Sequence, residues 1–304
     1  MLHLTLRQLK VFESVARLGS YTRAAEELHL SQPAVSMQVK QLEESIGLSL
    51  FEQLGKKIYL TDAGREMFHY SREIGRQLAE MESVLEELRG LKRGKLVISM
   101  VSNANYFVPQ LLSVFCQRFP DITVNLDVAN REKFLKQLAD NEMDLGIMGQ
   151  PPEEAESMAE PFLDNPLVVI APPNHPLVPE KAIPVERLGG ETFLVREKGS
   201  GTRIAMERIF TQHGIAPPRG MEMSTTEAVK QATAAGMGLA VVSLHTVGLE
   251  LETGRLAVLD VVDFPILRHW YVVHRKGKRL SHVAQAFHDF LLLEARQLLS
   301  PDRK

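Results

Sequence analysis

The sequence predicts an α/β protein preceded by an all-α unit, with one long helix joining the two. Three observations carry that prediction. Residues 1–61 hold three capped helical periods and only a short strand-like stretch at their end. Residues 62–91 contain no proline and repeat apolar residues in steps of three and four. From residue 94 onward, strand-like runs alternate with helical ones. A chain of 304 residues suits two or three compact units, and 44% hydrophobic with 24% charged residues is an ordinary globular composition. No apolar run approaches the ~18 residues needed to cross a bilayer. Nor does a basic segment followed by an apolar stretch and a cleavage site mark the start for export, so a cytoplasmic protein with no membrane partner is expected. The single cysteine, Cys116, rules out an internal disulfide and a multi-cysteine zinc site. Its apolar neighbourhood, Phe107–Phe119, reads as packed core, with a redox sensor as the alternative.

The first helix opens on Thr5-Leu6-Arg7-Gln8, a capping box in which hydroxyl and amide satisfy early N–H donors. It carries Leu9, Phe12, Val15 and Ala16 on one face and closes at Gly19. Ser20 caps a short second helix to Leu28, where Ala24 and Ala25 let a neighbour approach closely. Ser31 caps a third, with Gln32-Pro33 in its first turn, that runs to about Ile46 and ends at Gly47. Helix, tight turn, helix is the arrangement that lays its second helix in the DNA major groove. The outward residues there are Ser31, Gln32, Pro33, Ser36, Met37 and Lys40, with Gln38 on the boundary, while Val35, Val39 and Leu42 pack inward. Glutamine can pair with adenine edges, serine can contact bases or phosphates, and lysine supplies charge. Leu50 to Thr61 reads as two short strands around Gly55-Lys56-Lys57, a basic wing suited to phosphates or the minor groove. Residues 1–61 carry seven Lys and Arg against six acids, and the chain's net charge is −3. Charge alone therefore does not argue for DNA, and periodicity alone leaves a plain three-helix bundle open.

The composite pattern is more specific. Phe12 through Thr61, with GSYTRAAEELHLSQPAVSMQVKQLEESIGLSLF and YLTDAG at this spacing, resembles the winged helix-turn-helix of LysR-type transcriptional regulators. Many members of that family carry arginine where this chain has Gln53, which leaves Lys56 and Lys57 more of the wing's phosphate contact. After this DNA-binding unit (residues 1–61) comes a helix over 62–91. Its seam of Met67, Ser71, Ile74, Leu78, Met81, Leu85 and Leu88 has a period of about 3.5, the mark of a helix that pairs with another. It either joins a second copy or packs on its own domain. A two-fold dimer sets two recognition helices one DNA turn apart, ~34 Å, and the family's linker helix has this dimerisation role.

Residues 92–304 read as strands Leu96–Val101, Ile122–Val128 and Asp144–Met148 with helices Val108–Phe119 and Arg131–Ala139 between them. The run Pro166–Ala171 begins a second lobe with strands Thr192–Val195 and Leu239–Val242 and helices from Thr202 and Thr225. The chain returns through Leu267–Val273 to a last helix, Ser281–Leu298. The alternation predicts mostly parallel sheets in lobe I (92–164 and 268–304) and lobe II (165–267). Two lobes with two crossovers resemble the periplasmic-binding-protein-like effector domain of the same family. Ligands of such sheets lie in the cleft beyond the carboxyl ends of the strands. Three segments should line it: Ser102, Asn103 and Asn105; the loop from Arg196 through Gly199, Ser200, Gly201, Thr202 and Arg203; and Ser224, Thr225 and Thr226. Free amides at a helix start, the Ser200 and Thr202 hydroxyls, and Arg196 with Arg203 compose an anion site. Helix capping is the alternative for each hydroxyl, and Ser224 with Glu227 has the spacing of a capping box.

FLVREKGSGTR, EAVKQATAAGMGLAVVSLHT and GRLAVLDVVDFPILRHWYVVHRKGKRLS are similar to the RuBisCO-operon (Calvin-cycle) regulators within the family. Cysteine-metabolism regulators share the Gly-Ser-Gly-Thr-Arg loop, so another LysR pathway is the alternative. The resemblance implies a small anionic effector such as ribulose 1,5-bisphosphate, 2-phosphoglycolate or NADPH, and carbon-fixation genes as targets. It also implies a homodimer or homotetramer on double-stranded promoter DNA, in contact with RNA polymerase. No Ser-His-Asp set, metal-ligand cluster or dinucleotide fingerprint is present, and His69, His175, His213 and His245 lack ligand spacing. Neither an enzyme nor a solute-binding protein with an appended helical domain is expected, and no resident cofactor or metal.

Overall fold

The computed structural model describes residues 4–55, 57–88, 94–215 and 220–299. The chain forms two compact units, Met1–Leu91 and Lys92–Lys304.

In the first unit α1 (Leu6–Leu18), α2 (Tyr21–Glu27) and α3 (Gln32–Ile46) are delimited by their caps. The Thr5 hydroxyl accepts from the Gln8 amide at 3.2 Å, and the Gln8 side chain accepts from the Thr5 amide at 2.9 Å. Ser20 and Ser31 cap the Arg23 and Ala34 amides in the same way. Gly19 and Gly47 end α1 and α3 at φ 59° and 78°, the left-handed region where a side chain is strained. The helices enclose Val11, Val15, Ala24, Ala25, Val35 and Val39, each buried valine stabilising the unit by roughly 1.5–3 kcal/mol. β1 (Phe51–Leu54) pairs antiparallel with β2 (Lys57–Leu60). The Glu43 carboxylate accepts from the Leu50 and Phe51 amides at 2.7 and 3.2 Å, tying the start of this wing to α3. α4 (Asp62–Leu88) then packs Met67 and Phe68 against Phe12, Leu42 and Leu50. Gly64 passes so close to the wing that a Cβ there would stand 2.0 Å from the Leu50 carbonyl oxygen.

The second unit holds two five-stranded sheets. The first, ordered β4-β3-β5-β12-β6, comprises β3 (Gly94–Val101), β4 (Ile122–Ala129), β5 (Leu145–Met148), β6 (Ser157–Asp164) and β12 (His269–Arg275). The second, ordered β11-β7-β10-β8-β9, comprises β7 (Leu167–Ala171), β8 (Phe193–Arg196), β9 (Glu222–Met223), β10 (Leu239–Ser243) and β11 (Ala257–Val258). In the first lobe α5 (Val108–Arg118) and α10 (His282–Leu299) bury Leu96, Ile98, Phe115, Trp270 and Phe287, while α6 (Arg131–Ala139) covers Met143 and Val273 with Phe134 and Leu138. In the second, α7 (Gly201–Gln212) packs Met206 and Phe210 on Phe193, and α8 (Thr226–Ala234) with α9 (Gly248–Glu252) closes over Leu194 and Ala240. Among the described residues no helix is long and apolar enough to cross a membrane.

Four expectations are corrected. The sheets are mixed and not mostly parallel: β12 runs antiparallel to β5 and β6, and β7 antiparallel to β10, because the strands next to the crossovers enter their sheets from the opposite end. β6 was not anticipated. Its proline, Pro161, faces a bulge between Trp270 and Tyr271, and its alternation is weak. α8 is capped by Thr225, whose hydroxyl accepts from the Ala228 amide at 3.1 Å, and not by a Ser224–Glu227 box; Glu227 instead serves Tyr106 and Lys230. Cys116 is half-buried on α5 and is not part of the fully packed core. Of the seam on α4, Ser71 is buried, Met67, Ile74 and Leu78 are half-buried and Met81 is exposed. The side chains of Leu85 and Leu88, and residues 89–93, lie outside the described ones, as does Lys56.

Candidate functional site

A small cavity of about 50 Å³, partly open to solvent, lies between the two lobes. β3 delivers Ser102 and Asn103 to it, and the Asn130-capped start of α6 delivers Arg131. The start of α7 delivers Ser200, Gly201 and Thr202, and the two crossovers deliver Asn165 and Arg268. Gly199 sets the approach to α7 at φ 84°, which an L side chain would resist. Of the residues expected from sequence, Ser102, Asn103, Arg196, Ser200, Gly201 and Thr202 line the cavity. Asn105, Gly199, Arg203, Ser224, Thr225 and Thr226 are not among its lining residues.

The charges are distributed differently from the sequence reading. Arg196 is buried and engaged on every side. Nε and Nη2 hold the Glu197 carboxylate at 2.7 and 2.9 Å, and Nη1 donates to Asn103 Oδ1 at 2.9 Å and Thr226 Oγ1 at 2.6 Å. Arg203 donates to Glu207 at 2.6 Å and Glu222 at 2.5 Å; its hydrogen bonds to these acids raise its pKa and spend its charge. Arg131 and Arg268 differ. Arg131 Nη2 donates to the Gln150 carbonyl at 3.1 Å and Arg268 Nη1 to the Gly201 carbonyl at 2.6 Å, and neither meets a carboxylate among the described residues. Burial, with the Arg268 charge beside it, pushes the Arg131 guanidinium below its ordinary value; burial does the same to Arg268. Both face Gly201, where a Cβ would lie 3.6 Å from Arg268 Nη1 and 3.7 Å from Arg131 Nη1. Two further lining residues, Trp270 and Asn165, each hold a buried polar atom, the indole N–H and Oδ1, with no partner among the described residues. The cavity thus presents two cations that meet no carboxylate among the described residues, together with the Ser102, Ser200 and Thr202 side chains, while its one lining carboxylate, Glu197, is held by Arg196, a setting that suits a small anion. Sequence reasoning missed Arg131 and Arg268, because one reads as the first residue of a surface helix and the other as part of a connecting segment.

On the first unit, Ser31, Gln32, Pro33, Ser36, Met37 and Lys40 are exposed on α3. Gln38 sits half-buried at the edge of the inward face, its Oε1 buried without a partner among the described residues. Lys57 is exposed on β2, and Gln53 Nε2 donates to the Gly55 carbonyl at 3.0 Å, so it braces the wing's turn. A capped helix with a polar outward face beside a basic hairpin has the form that enters a major groove while the hairpin meets the backbone.

Comparison with protein families decides the assignment. Residues 6–65 match the bacterial regulatory helix-turn-helix of the lysR family, and residues 89–296 match the LysR substrate binding domain. The chain belongs to the LysR family of transcriptional regulators. This LysR-family chain is 60% identical over 98% of its length, and 98% of the relative's, to the RuBisCO operon transcriptional regulator of Allochromatium vinosum. Its second unit is similar to the regulatory domain of Synechocystis PCC6803 CcmR in complex with 2-PG, with 45% identity and a TM-score of 0.64 over 66% of this chain and 96% of that one. The full-length fold is also that of an OxyR variant from Pseudomonas aeruginosa, with 21% identity, a TM-score of 0.76 and 99% of each chain covered. The family is one of transcription regulators and not of enzymes.

Proposed function

We propose that this LysR-family regulator controls carbon-fixation operons and that a small phosphorylated acid of the 2-phosphoglycolate type, held by Arg131 and Arg268, is its effector. The observation that carries the reading is the pair of desolvated guanidinium groups with no carboxylate partner among the described residues. An anion bridging them relieves both burial and mutual repulsion, a gain that a neutral or zwitterionic ligand such as O-acetylserine does not supply. The 60% identity to a RuBisCO operon regulator and the 2-PG complex of the CcmR domain support the same class of target and ligand. Gln32, Pro33, Ser36, Met37 and Lys40 read the promoter, and Ser31, Gln38, Lys56 and Lys57 complete the DNA-contact face. α4 pairs two copies, dimers assemble into tetramers on DNA, and polymerase contact follows from effector binding.

Isothermal titration of the full chain with 2-phosphoglycolate, ribulose 1,5-bisphosphate, NADPH and O-acetylserine tests this. One of the phosphorylated ligands should bind, and Arg131→Ala or Arg268→Ala should weaken it by about 1.5–3 kcal/mol, roughly ten- to a hundredfold. Equal affinity in the arginine variants would place the ligand elsewhere, and a response to O-acetylserine alone would assign the protein to sulfur metabolism.

A further inference from the structure

Outside the cavity the two lobes meet again. The tight turn Ser102–Tyr106 that leaves β3 carries Asn103 at its start and Tyr106 at its end. Tyr106 Oη donates to Glu227 Oε2 at 2.9 Å, and Lys230 Nζ stands over the Tyr106 ring, 4.5 Å from its centroid. The Lys230 side chain is only 4% exposed and is held by Glu227 at 3.0 Å and Glu250 at 2.8 Å. Tyr106 belongs to the first lobe, the other three to the second, and none of the four is among the residues lining the cavity. One lysine against two carboxylates leaves the cluster one negative charge in excess, and the phenol O–H donated from the other lobe offsets it. Hydrogen bonds from Gln231, Lys230 and Tyr106 hold the Glu227 carboxyl at about 2, so it is ionised at every working pH.

The same turn reaches the cavity. Asn103 Oδ1 accepts from Arg196 and from Thr226, the residue beside Glu227, while Asn103 Nδ2 donates to Thr202 at 3.4 Å. Any change in lobe spacing that moves Asn103 on Thr226 must therefore also move Tyr106 on Glu227. A ligand that touches Arg131 in one lobe and Ser200 or Thr202 in the other binds only at one lobe spacing, and its apparent affinity scales with the population of that spacing.

We propose that Tyr106 is a positioning residue for effector binding. Its hydroxyl on Glu227 and its ring on Lys230 form a clasp that holds the lobes at the spacing the cavity requires, and the clasp sets affinity without touching the ligand. This rests on the cavity being the effector site, so the test has an arm that needs no ligand. In the ligand-free full chain, Tyr106→Phe should speed amide hydrogen exchange at 103–107 and 227–231 and leave the wing and α10 unchanged. In calorimetry with 2-phosphoglycolate and inorganic phosphate as probes, the same variant should bind 2-phosphoglycolate up to roughly tenfold more weakly, the loss of one hydrogen bond to a charged acceptor. In a Glu227→Ala background, Tyr106→Phe should cost nothing further, because the bond is already gone. Wild-type exchange together with wild-type affinity in Tyr106→Phe, or additive losses in the double variant, would overturn the proposal. If the parent protein binds neither probe, 2-phosphoglycolate is removed as the effector. The exchange arm then decides the clasp alone: local acceleration supports it and unchanged exchange removes it.

Discussion

A methyl group at position 201 would meet Arg268 and Arg131 at 3.6 and 3.7 Å, ordinary contact distances that require no shift. Gly201 is also the first residue of α7, and alanine is the better helix former. Gly201→Ala should therefore melt at or above the parent's temperature without ligand, yet lose most of the stabilisation that 2-phosphoglycolate gives the parent, since the methyl occupies the space between the two guanidinium groups. Scanning fluorimetry with and without the ligand reads both quantities, and a full ligand-induced shift in the variant would mean that the anion does not sit between the arginines. The residue scale is also where the sequence was least legible. Arg196 and Arg203 sit in a loop that looks like an anion site, but Glu197, Glu207 and Glu222 neutralise them. Arg131 and Arg268 look unremarkable in one dimension and in three meet carbonyls but no carboxylate among the described residues. Which arginine keeps its charge available depends on which acids the fold brings to it, and no local pattern encodes that.

Elements were legible wherever their determinants are local. Thr5, Ser20, Ser31, Gly19 and Gly47 mark helix ends through hydrogen bonds or backbone conformations that span a few residues, and the helices begin and end at them. β6 escaped because its partner, β12, arrives much later in the chain and supplies the pairing that Pro161 weakens. The junction of wing and linker helix is a contact of the same non-local kind. Gly64 sits one turn into α4 with no room for a side chain against Leu50. Gly64→Ala should force the wing off the helix, costing about 1–3 kcal/mol in the unfolding of the first unit. With Lys57 of the wing in its proposed contact with the phosphates, operator affinity should fall with it. Urea denaturation and gel-shift titration measure the two effects. An unchanged midpoint would mean that Leu50 can yield without cost.

For the whole molecule, a net charge of −3 opposes DNA, and attraction has to come from a local surface. The proposed dimer would present that surface twice, and α4 is the element proposed to form it. Met81 is 51% exposed on the line that continues from half-buried Ile74 and Leu78. Met81→Asp should shift the protein toward monomer in sedimentation velocity. It should also reduce affinity for a promoter with two half-sites far more than for a single half-site. Equal losses on both DNAs would place Met81 in the fold of one copy and not between copies.

Trp270 is the chain's only tryptophan; it lines the cavity, and its indole N–H has no partner among the described residues. The protein therefore carries a native optical reporter at the proposed effector site. Indole emission responds to a new hydrogen-bond acceptor and to the charge of a neighbouring arginine being neutralised, and no second indole dilutes the signal. Occupancy of the cavity can be followed by light in unlabelled protein, in real time and on promoter DNA, so the arrival of a metabolite can be timed against the change it causes in the complex.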